Sequence, residues 1–422
     1  MSHAAAVPLS KLVREQLNRP SPIRQIMKMA ERQNIVAMGL NPDDVISFGG
    51  GWVNHPAPDG LRLAYQEIAG DPTAFHQSGG YTATLGDGEC RKQLARFESH
   101  LFNVPRLTAE HVAIGAGSTQ LTHDLFRVLL DPGDTVLLMD PTYANYEGQL
   151  AFAAPGVQIA RLRLMDPATW SYLPTDDPGR AIDDFHRAFD THQPRLVVFG
   201  APDNPTSQIL PHALVEAMRA RSADAGAWLA IDFAYKCQHF APVPDYYSWS
   251  PADHPNVIGI YSNSKWGRGL GRRLGWLTAA TPVIDAIERV QQCSLLCPDT
   301  LAQMAMARYL SRAIDDGSLR QYVDETNARY RDAAQVTIDA VDEHLRRPRL
   351  TPMGGLYTVV DVGTDADAFV PRALQATGVL VVPGGGFGAS LKNGVRISFG
   401  PLVNAPQKIR DGIERLGRYL SA

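Results

Sequence analysis

The chain has 422 residues, 45% of them hydrophobic and 20% charged, with a net charge of −4 and a pI near 6.3. That length supports a large core and predicts two domains, while nearly balanced, scattered charge gives no footing for nucleic acid or for a membrane surface. No apolar run reaches membrane-spanning length and Met1-Ser2-His3-Ala4 opens no charged-then-apolar leader, so a cytoplasmic protein is expected.

In chain order, Lys11–Leu17 has a helical pattern, and a second helix is predicted from Ser21, with Pro22 in its first turn. Phe48-Gly49-Gly50-Gly51-Trp52-Val53-Asn54-His55-Pro56 is a glycine-rich loop in which Trp52 either lines a ligand or simply packs. His111–Gly115 reads as a strand, and after a turn of small residues a helix begins near Ser118. Its free N–H groups would suit an anion or need only a cap. Asp134–Asp140 is the next strand, followed by Pro141-Thr142-Tyr143, and Pro194–Gly200 is another, running into Ala201-Pro202-Asp203-Asn204-Pro205-Thr206-Ser207. Asn-Pro pairs mark turns in general. Gly226–Ile231 is a strand ending in Asp232-Phe233-Ala234-Tyr235, where a carboxylate either caps a helix or serves a ligand. Asn256–Tyr261, β-branched and apolar, is a further buried strand. Cys293 and Cys297 are spaced to share a helical face, which predicts two buried thiols and no metal. Helical patterns follow from Leu301 to Leu310 and from Leu319 to about Leu345, then short strands at 355–360, 379–382 and 395–398. Strands alternating with helices predict a mostly parallel sheet covered on both faces.

The strand at 256–261 delivers Lys265 into Ser262-Asn263-Ser264-Lys265-Trp266-Gly267-Arg268-Gly269-Leu270-Gly271-Arg272-Arg273-Leu274-Gly275-Trp276. An amine in such a place can form a Schiff base with a carbonyl, and the neighbouring hydroxyls with Arg273 suit a phosphate. An aldehyde and a phosphate on one small molecule describe pyridoxal 5'-phosphate. The run Ser-x-Ser-Lys followed by Gly-x-Arg-x-Gly-Trp resembles the lysine signature of fold-type I pyridoxal-phosphate enzymes, in the class I/II aminotransferase group and nearest its aminoadipate and aromatic branch.

The resemblance covers about residues 45–400 and implies a three-layer α/β large domain with a smaller α+β domain formed by both termini. The expected division is an arm and part of the small domain at 1–50, the large domain at 51–305 and the rest of the small domain at 306–422. Asp232-x-Ala234-Tyr235 then pairs an acid with the ring nitrogen, packs Ala234 on the ring and lets Tyr235 donate to the ring hydroxyl. Asn204 bonds the ring oxygen, although Ser207 replaces the usual glycine of that turn. Tyr143 stacks on the ring, and Ser118, Thr119, Ser262, Ser264 and Arg273 hold the phosphate. Gly80-Tyr81 with Gly86 and Arg91 is similar to the element whose tyrosine reaches the neighbouring subunit's phosphate, implying a homodimer. Gly394–Gly400 is similar to the segment whose arginine, here Arg396, clamps a substrate carboxylate, with Gly51, Trp52 and Asn204 on the substrate side.

The implied activity is transamination between an α-amino acid and a 2-oxo acid, Lys265 moving the α-proton. The alternative on the same parts is elimination, replacement or cyclisation in specialised metabolism. A non-enzymatic regulator is disfavoured, because the resemblance begins within about fifty residues of the start and no basic region precedes it. Trp266, Arg268 and Arg272 are atypical, and the two arginines either meet an anionic substrate or are solvated.

Overall fold

The computed structural model describes residues 9–18 and 22–421. Met1–Ala4 and Ser21 lie outside the described residues. The strands in chain order are β1 (Ile46–Ser47), β2 (Val112–Gly115), β3 (Thr135–Asp140), β4 (Gln158–Arg163), β5 (Leu196–Gly200), β6 (Trp228–Asp232), β7 (Val257–Ser262), β8 (Gly275–Thr278), β9 (Tyr357–Asp361), β10 (Val379–Leu380), β11 (Val382–Pro383) and β12 (Gly394–Ser398).

One seven-stranded sheet has the order β2-β8-β7-β6-β5-β3-β4. Its pairs are parallel except at β8, which runs antiparallel to both β2 and β7. β5 and β7 are buried at every position, as strands covered on both faces must be. Successive residues serve opposite cores. Val136, Leu138, Val198 and Ile258 pack with Leu121, Leu125 and Ile284 on one side, whereas Leu137, Met139, Val197 and Leu229 pack with Phe97, Phe185 and Leu214 on the other. The two-residue alternation of a strand thus builds three layers from one run of apolar residues.

Near the other end of the chain, β11-β12-β9 form a small antiparallel sheet, and β1 pairs in parallel with β10. The segment before residue 50 therefore joins the strand at 379–380. A long helix, Ser318–Ala340, continues as a wider π turn over Val341–Leu345.

Three local expectations are corrected. Lys265 does not sit in an open loop but on a single helical turn, Asn263–Trp266, which Ser262 caps through Ser264 N at 3.1 Å. Cys293 and Cys297 do not share a helix, because Thr281–Ser294 ends before Leu296, whose φ is +70°. Cys293 is exposed and Cys297 half-buried; the buried thiols are Cys90 and Cys237. Among the described residues no cluster of side chains suits a metal, and no helix is long and apolar enough to cross a membrane.

Candidate active site

Sheet register brings the site together. Gly200 pairs with Asp232, and Asp232 with Ile260, so the carboxyl ends of β5, β6 and β7 lie side by side. Open α/β sheets bind ligands at such ends. Gly275 pairs with Gly115 on one flank and Ser262 on the other, which sets Arg273 beside the start of the helix Ser118–Leu129. A β-carbon on Gly275 would fall 2.7 Å from Gly117 C and Ser118 N, and one on Gly117 would fall 2.4 Å from Arg273 Nη2. Only glycines permit this approach, and Gly117 also has φ +87°.

The strand ends enclose a cavity of about 220 Å3. Of the residues predicted to hold the cofactor, Ser118, Thr119, Tyr143, Asn204, Asp232, Ala234, Tyr235, Ser262, Ser264, Lys265 and Arg273 all line it. Tyr81 does not: its side chain is 86% exposed. Trp52 is 38% exposed, and its indole lies against Gly50, where a β-carbon would meet the ring at 2.0 Å.

At one end of the cavity Asp232 accepts from Ala234 N–H and from the Tyr146 hydroxyl, each at 2.9 Å. Burial pushes its carboxyl up, and the Ala234 and Tyr146 bonds and the Lys265 amine oppose that. Asp232 makes no ion pair with a described residue, so a cationic partner is what this half-buried acid lacks. Tyr146 stands three residues after Tyr143 and meets its ring edge-on, 5.3 Å between centroids. The Tyr-x-x-Tyr spacing is visible in the sequence, but nothing in it ties the second tyrosine to Asp232. At the other end the free N–H groups of the helix at Ser118, with Arg273 and the hydroxyls of Ser262 and Ser264, form an anion cradle. A molecule with a phosphate at one end and a basic ring nitrogen at the other fits these donors.

Lys265 Nζ donates to the Gly51 carbonyl at 2.5 Å and lies 5.4 Å from the Tyr235 ring centroid. Burial, then Arg396 and Arg273, lower its amine to about 8, against the opposing pull of Asp232. Arg396, 1% exposed, donates to Asn204 Oδ1 at 2.8 Å and to Gly49 O at 3.0 Å. Its Nε is buried without a partner. A guanidinium has five donors; two are used here, which leaves a fork for a carboxylate. Arg268 donates to His55 O and Asn54 Oδ1, and Arg272 bonds the Arg268 carbonyl and lies over Tyr65. Trp266 packs on Phe97 at 4.8 Å. These three atypical residues brace the loop rather than face the cavity.

The profile of the family described as Aminotransferase class I and II matches residues 44–416. The chain belongs to that family. Like other members of the class I and II aminotransferases, it is a transferase of fold type I. It is 26% identical over 344 residues to the aspartate/prephenate aminotransferase of Thermus thermophilus, covering 81% of this chain and 83% of that one. It is 24% identical over 413 residues to aromatic-amino-acid aminotransferase 2 of Thermococcus litoralis, covering 96% and 97%. Among solved structures, Thermus thermophilus aspartate aminotransferase with maleate superposes with a TM-score of 0.83 over 98% of this chain and 99% of that one, at 23% identity. That last likeness concerns the fold.

Proposed function

We propose that the chain uses pyridoxal 5'-phosphate to exchange an amino group between an α-amino acid and a 2-oxo acid, with Lys265 as the amine that holds the cofactor aldehyde through a Schiff base. The observation that carries this is that one cavity is lined by Lys265 together with Asp232 and with the Ser118–Arg273 cradle. Asp232 holds the ring nitrogen, Tyr235 and Asn204 meet the ring oxygen, and Tyr143 and Ala234 enclose the ring. Ser118, Thr119, Ser262, Ser264 and Arg273 hold the phosphate, and the exposed Tyr81 reaches the partner copy's site in a homodimer.

When bound, the cofactor supplies a sink for the electrons left on the substrate's α-carbon. Arg396 binds the substrate carboxylate with the donors it has not spent. Asn204 fixes the angle of that fork. Lys265 Nζ, drawn down to about 8, is free to take the α-proton and hold it at the reacting end of the cavity. The carbonyls of Gly49 and Gly51, bonded to Arg396 and Lys265 respectively, tie the loop that carries Trp52 to these two cations. The division at residues 50 and 305 remains our reading of the domains.

The experiment adds pyridoxal 5'-phosphate to purified wild type and Lys265→Ala, then offers amino acids with 2-oxoglutarate or pyruvate. Wild type should gain an absorbance band at the edge of the visible and exchange amino groups; Lys265→Ala should do neither. A band retained in Lys265→Ala refutes the lysine assignment. A wild-type band without amino exchange favours elimination, replacement or cyclisation.

A further inference from the structure

Tyr357 lies in no motif that points to the site, yet it touches three of the site's groups. It is a wholly buried residue at the start of β9. Its hydroxyl is 2.6 Å from that of Tyr235, and its ring lies beneath the Arg396 guanidinium, 4.3 Å from carbon to centroid. A β-carbon on Gly51, whose carbonyl accepts from Lys265, would stand 3.0 Å from the Tyr357 oxygen. The close glycine thus leaves the phenol its place.

Each phenol has one proton. Tyr235 lines the cavity and Tyr357 does not. If Tyr357 spends its proton on Tyr235, the Tyr235 proton is left for an acceptor in the cavity, and such a chain strengthens both bonds. Burial pushes both phenols up, so both keep their protons; Arg396 opposes this at both, while the bond between the hydroxyls, in which either can be the donor, raises Tyr235 and lowers Tyr357. Tyr143, Asp203 and Lys265 are the other titratable groups facing the pair.

We propose that Tyr357 is a positioning residue whose hydroxyl donates to Tyr235, fixing the direction in which Tyr235 presents its own O–H to the cavity, while its ring holds Arg396 in register. This rests on the reading of Tyr235 and Arg396 given above. Through it the carboxylate clamp and the ring-oxygen donor are set by one side chain.

The test titrates the long-wavelength absorbance of the full chain, loaded with pyridoxal 5'-phosphate, against pH. A donor to the ring oxygen favours its anion, so loosening Tyr235 raises the midpoint. Tyr357→Phe keeps the ring and should raise the midpoint by about half a pH unit, with KM for the amino acid within about threefold of wild type. Tyr357→Leu should also raise KM, by about tenfold, because Arg396 loses its support. In a Tyr235→Phe background, Tyr357→Phe should add no further shift, since the two act through one bond. An unmoved midpoint in Tyr357→Phe, or an undiminished shift in the Tyr235→Phe background, overturns the proposal. Wild type that gains no band at all overturns the reading of the site beneath it.

Discussion

An exposed lysine amine titrates near pH 10.4, whereas burial, Arg396 and Arg273 bring Lys265 to about 8. Only the neutral amine attacks an aldehyde. Capture of added pyridoxal 5'-phosphate by the cofactor-free chain should therefore quicken about tenfold per pH unit up to about 8 and level off above it. Stopped-flow absorbance measures this, and a rate still climbing beyond pH 10 would show an ordinary, solvated amine. Lys265, Asp232, Asn204 and Arg396 were legible in the sequence because each stands at a strand end or within a strand, on a short linear motif. Tyr357 was not, since its role comes from three contacts made across the fold. Asp203 was seen only as a turn residue; burial, against its bonds with Thr206 and Asn204 N–H, pushes it up to about 7.

The turn that carries Tyr235 is fastened from behind by a pair that no motif announced. Lys236 donates to Glu98 Oε2 at 2.7 Å, with both side chains almost wholly buried. The ammonium sits among aromatic rings, 4.3 Å from Phe102 and 4.5 Å from Phe233. Burial pushes Glu98 up and Lys236 down, and their mutual attraction opposes both. Lys236→Met should cost about 3–5 kcal/mol, because it strands a buried carboxylate. Adding Glu98→Gln should recover part of that loss. Urea unfolding of the two variants checks this, and a Lys236→Met midpoint equal to wild type would mean that the pair contributes nothing. Elements were legible in the sequence where burial was two-sided, as in β5 and β7. They were missed where it was not: β4 is an edge strand with Gln158, Ile159 and Arg163 exposed, so its apolar pattern is broken. The antiparallel course of β8 follows from the loop after Lys265 turning straight back, a matter of geometry that composition does not encode.

At the scale of the whole molecule, the site draws on the seven-stranded sheet for Lys265 and Asp232, on β12 for Arg396 and on the loop after β1 for Gly49 and Gly51. Among the expected site residues, Tyr81 is 86% exposed and does not line its own cavity. A large exposed aromatic is a candidate for burial against a second copy. In a two-fold dimer each copy would then lend its tyrosine to the other's cradle. Mixing inactive Lys265→Ala with Tyr81→Ala chains distinguishes this from a monomeric site. A hybrid dimer carries one cavity with Lys265 from one chain and an intact Tyr81 from the other, so random reassortment restores about a quarter of the cavities. The number of tight pyridoxal 5'-phosphate sites and the amino exchange should both recover to about that fraction after denaturation and joint refolding. If each copy is complete in itself, the mixture does no better than the average of its two components, because neither chain could repair the other.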